Sequence, residues 1–243
     1  MTKGSWAMVA AILVALGSTS FAKDKPDQKA SNQVVDSGSF GVYVGGRRMA
    51  TETFTIKQTS DGSVASSQFK TDDGRASQTA ELSLSLAGEI KRYEWKEISP
   101  EKGTTILEPQ NEFLVERVMG GDKTMEQPFL MPHTTIVLDD YFFSHREILI
   151  WKYLATSCKA EQGKPGCQIS KAQFGVVVPR QRTSSMVTLD YAGREKINIR
   201  GVDRELNRIN LSSDMGDWAV WLDDQHKIIR MVIASDNSEV LRD

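Results

Sequence analysis

Asp139-Asp140-Tyr141-Phe142-Phe143-Ser144-His145-Arg146-Glu147-Ile148-Leu149-Ile150-Trp151-Lys152-Tyr153-Leu154-Ala155 breaks a pattern that runs through most of the chain. It holds no Gly or Pro, and Asp139 or Asp140 can cap its start, so the spacing predicts a helix over 139–155. Phe142, Leu149 and Tyr153 share one helical face. Phe143, Ile150 and Leu154 share the next, and Ile148 and Trp151 widen the stripe. A helix this apolar round its circumference is expected to be largely buried. Arg146, Glu147 and Lys152, and its shortness, argue against a membrane span.

On either side of this helix the chain alternates with period two. Phe40, Val42 and Val44 alternate with Gly41 and Tyr43, Phe54 and Ile56 with Thr53 and Thr55, and Leu82-Ser83-Leu84-Ser85-Leu86 is strictly alternating. Further runs read as strands at Ile90–Ile98, Thr104–Glu108, Glu112–Met119, Gln168–Val178, Ser184–Tyr191, Lys196–Val202, Leu206–Ser212, Trp218–Leu222 and Lys227–Ala234. Asp61-Gly62, Asp73-Gly74, Ala87-Gly88, Gly120-Gly121 and Gly193 read as turns between them. The fold class expected is mainly β: a curled antiparallel sheet, half-barrel or barrel-like, packed around one buried helix. In the last forty or so residues both faces are apolar. Trp218, Val220 and Leu222 oppose Ala219 and Trp221, and Asp223-Asp224-Gln225 turns the chain into Ile228–Ile233.

The N-terminus reads as an address. Lys3 precedes eleven apolar residues, Trp6 to Leu16, and Ser20-Phe21-Ala22 is a small-x-small site. We expect a signal peptide over 1–22, cleaved after Ala22, a flexible polar leader over 23–38, and a single β-rich domain over 39–243. The protein is then periplasmic or secreted, with no membrane span left after cleavage. Cys158 and Cys167 bracket Lys-Ala-Glu-Gln-Gly-Lys-Pro-Gly, a turn-rich loop that a disulfide would close in an oxidising compartment.

Composition excludes several classes. Among 243 residues the formal charge is −2, too balanced for a dedicated nucleic-acid binder. Two cysteines cannot build a four-cysteine zinc site. There is no G-x-S-x-G, phosphate-binding loop or dinucleotide fingerprint. His133, His145 and His226 form no ligand motif, and the expectation is no cofactor, no metal and no catalytic residue. Asp139-Asp140 and Asp223-Asp224 are read as a helix cap and a hairpin turn. Gly45-Gly46-Arg47-Arg48 is a bend whose arginines could contact phosphate or could simply guard a solvated edge.

Trp218-Ala-Val-Trp-Leu-Asp-Asp-Gln-His-Lys-Ile-Ile-Arg-Met-Val-Ile-Ala234 resembles the terminal strand pair of the bacterial lipoprotein-localisation carriers. The run 137–154 followed by 174–181 is similar to secreted proteins of like design. The resemblance implies a sheet bent round a hydrophobic cavity and a habit of holding acyl chains. Phe142, Leu149, Trp151, Phe174, Val176, Trp218, Val220 and Met231 are the residues expected to line such a cavity, unless they fill a core instead. The partners expected are a lipid or other apolar ligand or, in the rival reading, a protein of the envelope that docks on a sheet edge or an apolar patch.

Overall fold

Alternating runs joined by two-residue turns fold as a meander, because each strand pairs with the one that the turn brings back beside it. The computed structural model describes residues 32–243 except 122, 133, 158, 161–166, 169–170 and 215. The expected signal peptide, most of the leader and the Cys158–Cys167 bridge lie outside the described residues, as does His133.

The first meander comprises β1 (Gln33–Val44), β2 (Arg47–Thr59), β3 (Gly62–Thr71), β4 (Ser77–Ser85), β5 (Ile90–Ser99), β6 (Gly103–Gln110), β7 (Phe113–Gly120) and β8 (Lys123–Phe129). A short β9 (Ile136–Val137) leads into α1 (Ser144–Ser157). A separate two-stranded ladder, β10 (Lys159–Ala160) with β11 (Cys167–Gln168), follows the helix. The second meander comprises β12 (Ala172–Val178), β13 (Thr183–Ile199), β14 (Val202–Ser213), β15 (Gly216–Leu222), β16 (Ile228–Ile233) and β17 (Ser238–Arg242).

The last strand pairs antiparallel with the first, Phe40 opposite Arg242 and Val44 opposite Ser238. That pairing fuses the two meanders into one open sheet of 15 strands, with β8 at one edge and β9 at the other. Every pairing in it is antiparallel except β9 with β12, so the sheet is mixed. The sheet curls. Gln127 Nε2 of β8 donates to the Arg182 carbonyl beyond β12 at 3.1 Å, and Arg180 Nη1 donates to Gln78 Oε1 of β4 at 2.7 Å. The helix lies in the concavity, with Leu149, Ile150 and Tyr153 fully buried. They join Val176, Leu189, Ile209 and Val220 in one continuous core. Burial of each such side chain stabilises the fold by about 1.5–3 kcal/mol. No helix among the described residues is long and apolar enough to cross a membrane.

Four expectations need correction. The leader does not run to residue 38, since β1 begins at Gln33 and Asp36 is buried. The helix starts at Ser144 rather than Asp139, because Asp139 spends its carboxylate on Tyr141 N (3.1 Å) and the Tyr93 hydroxyl (2.7 Å) instead of capping. Gly193 is not a turn. It sits inside the 17-residue β13 at φ +99°, where the pairing with β14 slips between Tyr191 and Gly193, a bulge that a β-carbon would strain. Strict alternation in β16 also fails: a slip opposite Trp221/Leu222 puts both Ile228 and Met231 in the core. Gly62 behaves as the sequence implied, as a β-carbon there would lie 1.8 Å from the Leu84 carbonyl oxygen.

The outer face of the C-terminal hairpin carries a second, small cluster of Leu206, Trp221 and Ile229. Trp221 is flanked by the guanidinium groups of Arg208 and Arg230, which cover it from solvent. Both faces of the hairpin are therefore covered, as their composition demanded.

Candidate functional site

The first turn of α1 is Ser144-His145-Arg146-Glu147, and all four residues are buried. A helix end in an apolar interior leaves N–H groups that need acceptors. Here the acceptor comes from β2. Glu52 takes Phe143 N at 2.6 Å, Ser144 N at 3.3 Å and the Ser144 hydroxyl at 2.7 Å. Ser144 Oγ also lies 2.9 Å from Ser67 Oγ of β3. Burial pushes the Glu52 carboxyl up to about 7, and the hydrogen bonds only partly offset it.

His145 is fully buried between the Tyr93 and Phe142 rings, and neither ring nitrogen has a partner among the described residues. Burial lowers it to about 3, so it is neutral. With no carboxylate or hydroxyl in reach of either nitrogen, it is a core histidine rather than a general base. His226 lies exposed in the turn before β16, and its carbonyl accepts Trp151 Nε1 at 2.8 Å. Asp223 holds that turn, accepting Gln225 N and Lys227 N at 2.9 Å each.

Glu147 reaches a cluster formed where the two meanders meet. Asp36 of β1 is paired with Lys227 at 2.8 Å and with Arg242 of β17, and Arg242 lies 3.5 Å from Glu147. Burial, with the neighbouring Asp36 carboxylate, lifts Glu147 to about 9. Glu147 therefore keeps its proton and donates it toward Asp36. Burial would raise Asp36 as well, but bonds from Glu147 and Lys227 and the charge of Arg242 bring it below the usual range.

Beside this polar first turn the interior opens. A cavity of about 550 Å³ runs from the β1–β2 bend to the segment preceding α1. Phe69, Tyr141, Phe143, Trp218, Ile233 and Val240 form its apolar walls. Arg47 and Arg48 stand at the rim, Arg48 paired with Asp243 at 2.7 Å, and Arg146 lies at the buried end.

Of the residues expected to line a cavity, Trp218 does so. Phe142, Leu149, Val176, Val220 and Met231 are fully buried in the filled core, and Trp151 and Phe174 pack against it. The eight are thus brought together, but mostly as core. Glu52, Phe69 and Arg146 were missed. Glu52 was within reach of the pattern, since Ala50, Glu52, Phe54 and Ile56 alternate inward. A carboxylate in that row needs a buried partner. Comparison with family models, with curated proteins and with solved structures yields no match.

Proposed function

We propose that the protein is a soluble, non-catalytic component of the cell envelope that holds an apolar or amphiphilic, lipid-like ligand in this cavity. The observation that carries the reading is the cavity itself: about 550 Å³ of largely apolar-walled space, opening to the surface beside the core that encloses the helix. Ligand sites have this size and character, and desolvating a hydrocarbon chain there contributes about 25 cal/mol per Å². The likeness of the C-terminal hairpin to the lipoprotein-localisation carriers points the same way. Purified full-length protein, stripped of lipid, should bind phenylnaphthylamine saturably, and native mass spectrometry before stripping should show a bound amphiphile. Absence of probe binding above background overturns the proposal.

The rival reading, a docking protein of the envelope, draws on the free edge of β8, where Met125 is exposed, with exposed Leu130 just beyond. Cross-linking in cells that traps one defined protein through β8, with no probe binding, would favour it.

A further inference from the structure

We propose that the cavity selects anionic amphiphiles, a hydrocarbon chain ending in a carboxylate or phosphate, and that Arg146 receives the head group at the buried end. This rests on the amphiphile reading above and adds the sign of the ligand's charge and the residue that reads it.

Arg146 is only 4% exposed, yet it enters no ion pair among the described residues. Its Nη1 donates to the Asp139 carbonyl at 2.9 Å, while Nε is buried with no partner. Buried guanidinium groups are ordinarily satisfied by carboxylates, since a charge left unpaired in a dry interior is costly. Burial lowers Arg146 to about 10, which leaves it cationic at neutral pH.

Its place on the helix sharpens the point. Arg146 is in the first turn, where the helix dipole already concentrates positive potential, and a cation there is disfavoured while an anion is favoured. Glu52 is committed to the N–H groups of Phe143 and Ser144 and to the Ser144 hydroxyl. The charges of Asp140 and buried Asp139 also act on Arg146, but Asp140, on the same cavity wall, accepts Gln181 Nε2 at 2.7 Å, and Asp139 accepts the Tyr93 hydroxyl and Tyr141 N. The remaining acids of the lining, Asp72, Asp73 and Asp236, are exposed at the rim. Solvated charges are weak at a distance, and a charge in a dry interior is not, so the buried guanidinium dominates what an inserted head group meets.

Two cavity-lining aromatic rings hold the side chain in place. The Arg146 guanidinium lies 4.2 Å from the Trp218 ring centroid and 5.3 Å from that of Phe143. Stacking fixes the planar fork, whose geometry matches carboxylate and phosphate oxygens. The chain of the ligand would then run outward along Phe69 and Val240 to the rim.

The test is displacement of phenylnaphthylamine from the full chain by laurate, dodecyl phosphate and dodecanol, which share one chain length. Both anions should displace the probe at concentrations about tenfold or more below the alcohol, as a hydrogen bond to a charged group implies. Arg146→Met should bring the three together and leave dodecanol unchanged. The wild-type comparison needs no variant, so misfolding of Arg146→Met leaves it decisive. Equal displacement by all three overturns the role of Arg146 while the cavity reading stands. Anion preference that survives in a folded Arg146→Met protein overturns it too. Failure of the probe to bind removes both readings together.

Discussion

The two ends of α1 are buried by opposite means. Toward its C-terminus, Leu149, Ile150 and Tyr153 are enclosed by the apolar walls of the sheet. At its N-terminus, Ser144, Arg146 and Glu147 are equally enclosed, but by Glu52, Asp139, Asp36 and Arg242, while His145 lies between two rings. The apolar end is held mainly by packing, with bonds at Trp151, Lys152 and Tyr153. At the polar end Ser144 and Glu147 meet their partners in one position only, because each bond has a direction. The difference teaches that packing carries the helix into the curl, while hydrogen bonds from β1, β2 and β17 fix its depth and rotation.

Breaking the polar end should cost most. Arg242→Met leaves Asp36 and Glu147 buried with Lys227 as the one remaining cation of the cluster. Removal of one member of such a group costs about 3–5 kcal/mol, read as a lower urea midpoint at unchanged slope. The apolar end should answer with a cavity instead: Leu149→Ala, in fully buried surroundings, costs about 2–5 kcal/mol. If Arg242→Met proves milder than Leu149→Ala, directed bonds do not govern the seating of the helix.

Acidity probes the polar end further, through its buried carboxyls and its histidine. The Glu52 carboxyl, at about 7 in the folded protein against an ordinary value of 4.5, binds its proton more tightly folded than unfolded. Its contribution is fully present below pH 4.5 and is lost as pH rises to about 7. Glu147, raised to about 9, acts in the same sense over a wider window. His145, lowered to about 3, acts oppositely and adds stability as pH rises from there to 6.5. Glu52→Gln removes one of these slopes. Relative to wild type it should gain as much as about 3 kcal/mol between pH 5 and pH 8, at about 1.4 kcal/mol per unit of pKa. Urea unfolding at the two pH values checks this, and a constant difference would place Glu52 in an ordinary environment.

How much of this was legible follows the same division. Period-two alternation disclosed most strands, since a half-buried strand must alternate. It failed where other demands intruded. Gly193 looked like a turn because a bulge and a turn both call for positive φ. β8, Lys-Thr-Met-Glu-Gln-Pro-Phe, escaped notice because an edge strand tolerates Pro128 and charges that a central one would not. β17 escaped because it is short and ends in Arg242, whose partner Asp36 lies at the other end of the chain. The apolar face of the helix was readable. The polar turn was not, since Arg146 and Glu147 are buried only by virtue of partners far off in sequence. The cavity was least legible of all. The aromatic residues first expected to line it mostly fill space, and a void is defined by what fails to reach it.

The smallest effect tests one directed bond of the apolar end, beside the one Trp151 Nε1 makes to the His226 carbonyl. The Tyr153 hydroxyl accepts Tyr191 N at 3.2 Å, at the point where the β13–β14 ladder slips before Gly193. A bulge takes a backbone N–H off the ladder, and here the helix supplies the acceptor. Tyr153→Phe keeps the ring and its burial and removes only the oxygen. Tyr191 is partly exposed, so water can replace the lost acceptor, and the cost should be about 1 kcal/mol. Stability alone would barely register this against Leu149→Ala. Hydrogen exchange would, because the Tyr191 amide should exchange faster in Tyr153→Phe while amides of Val187 and Leu189 in the same strand keep their protection. Uniform acceleration along β13 would mean instead that the hydroxyl anchors the whole strand to the helix, and the apolar end would then be as directionally held as the polar one.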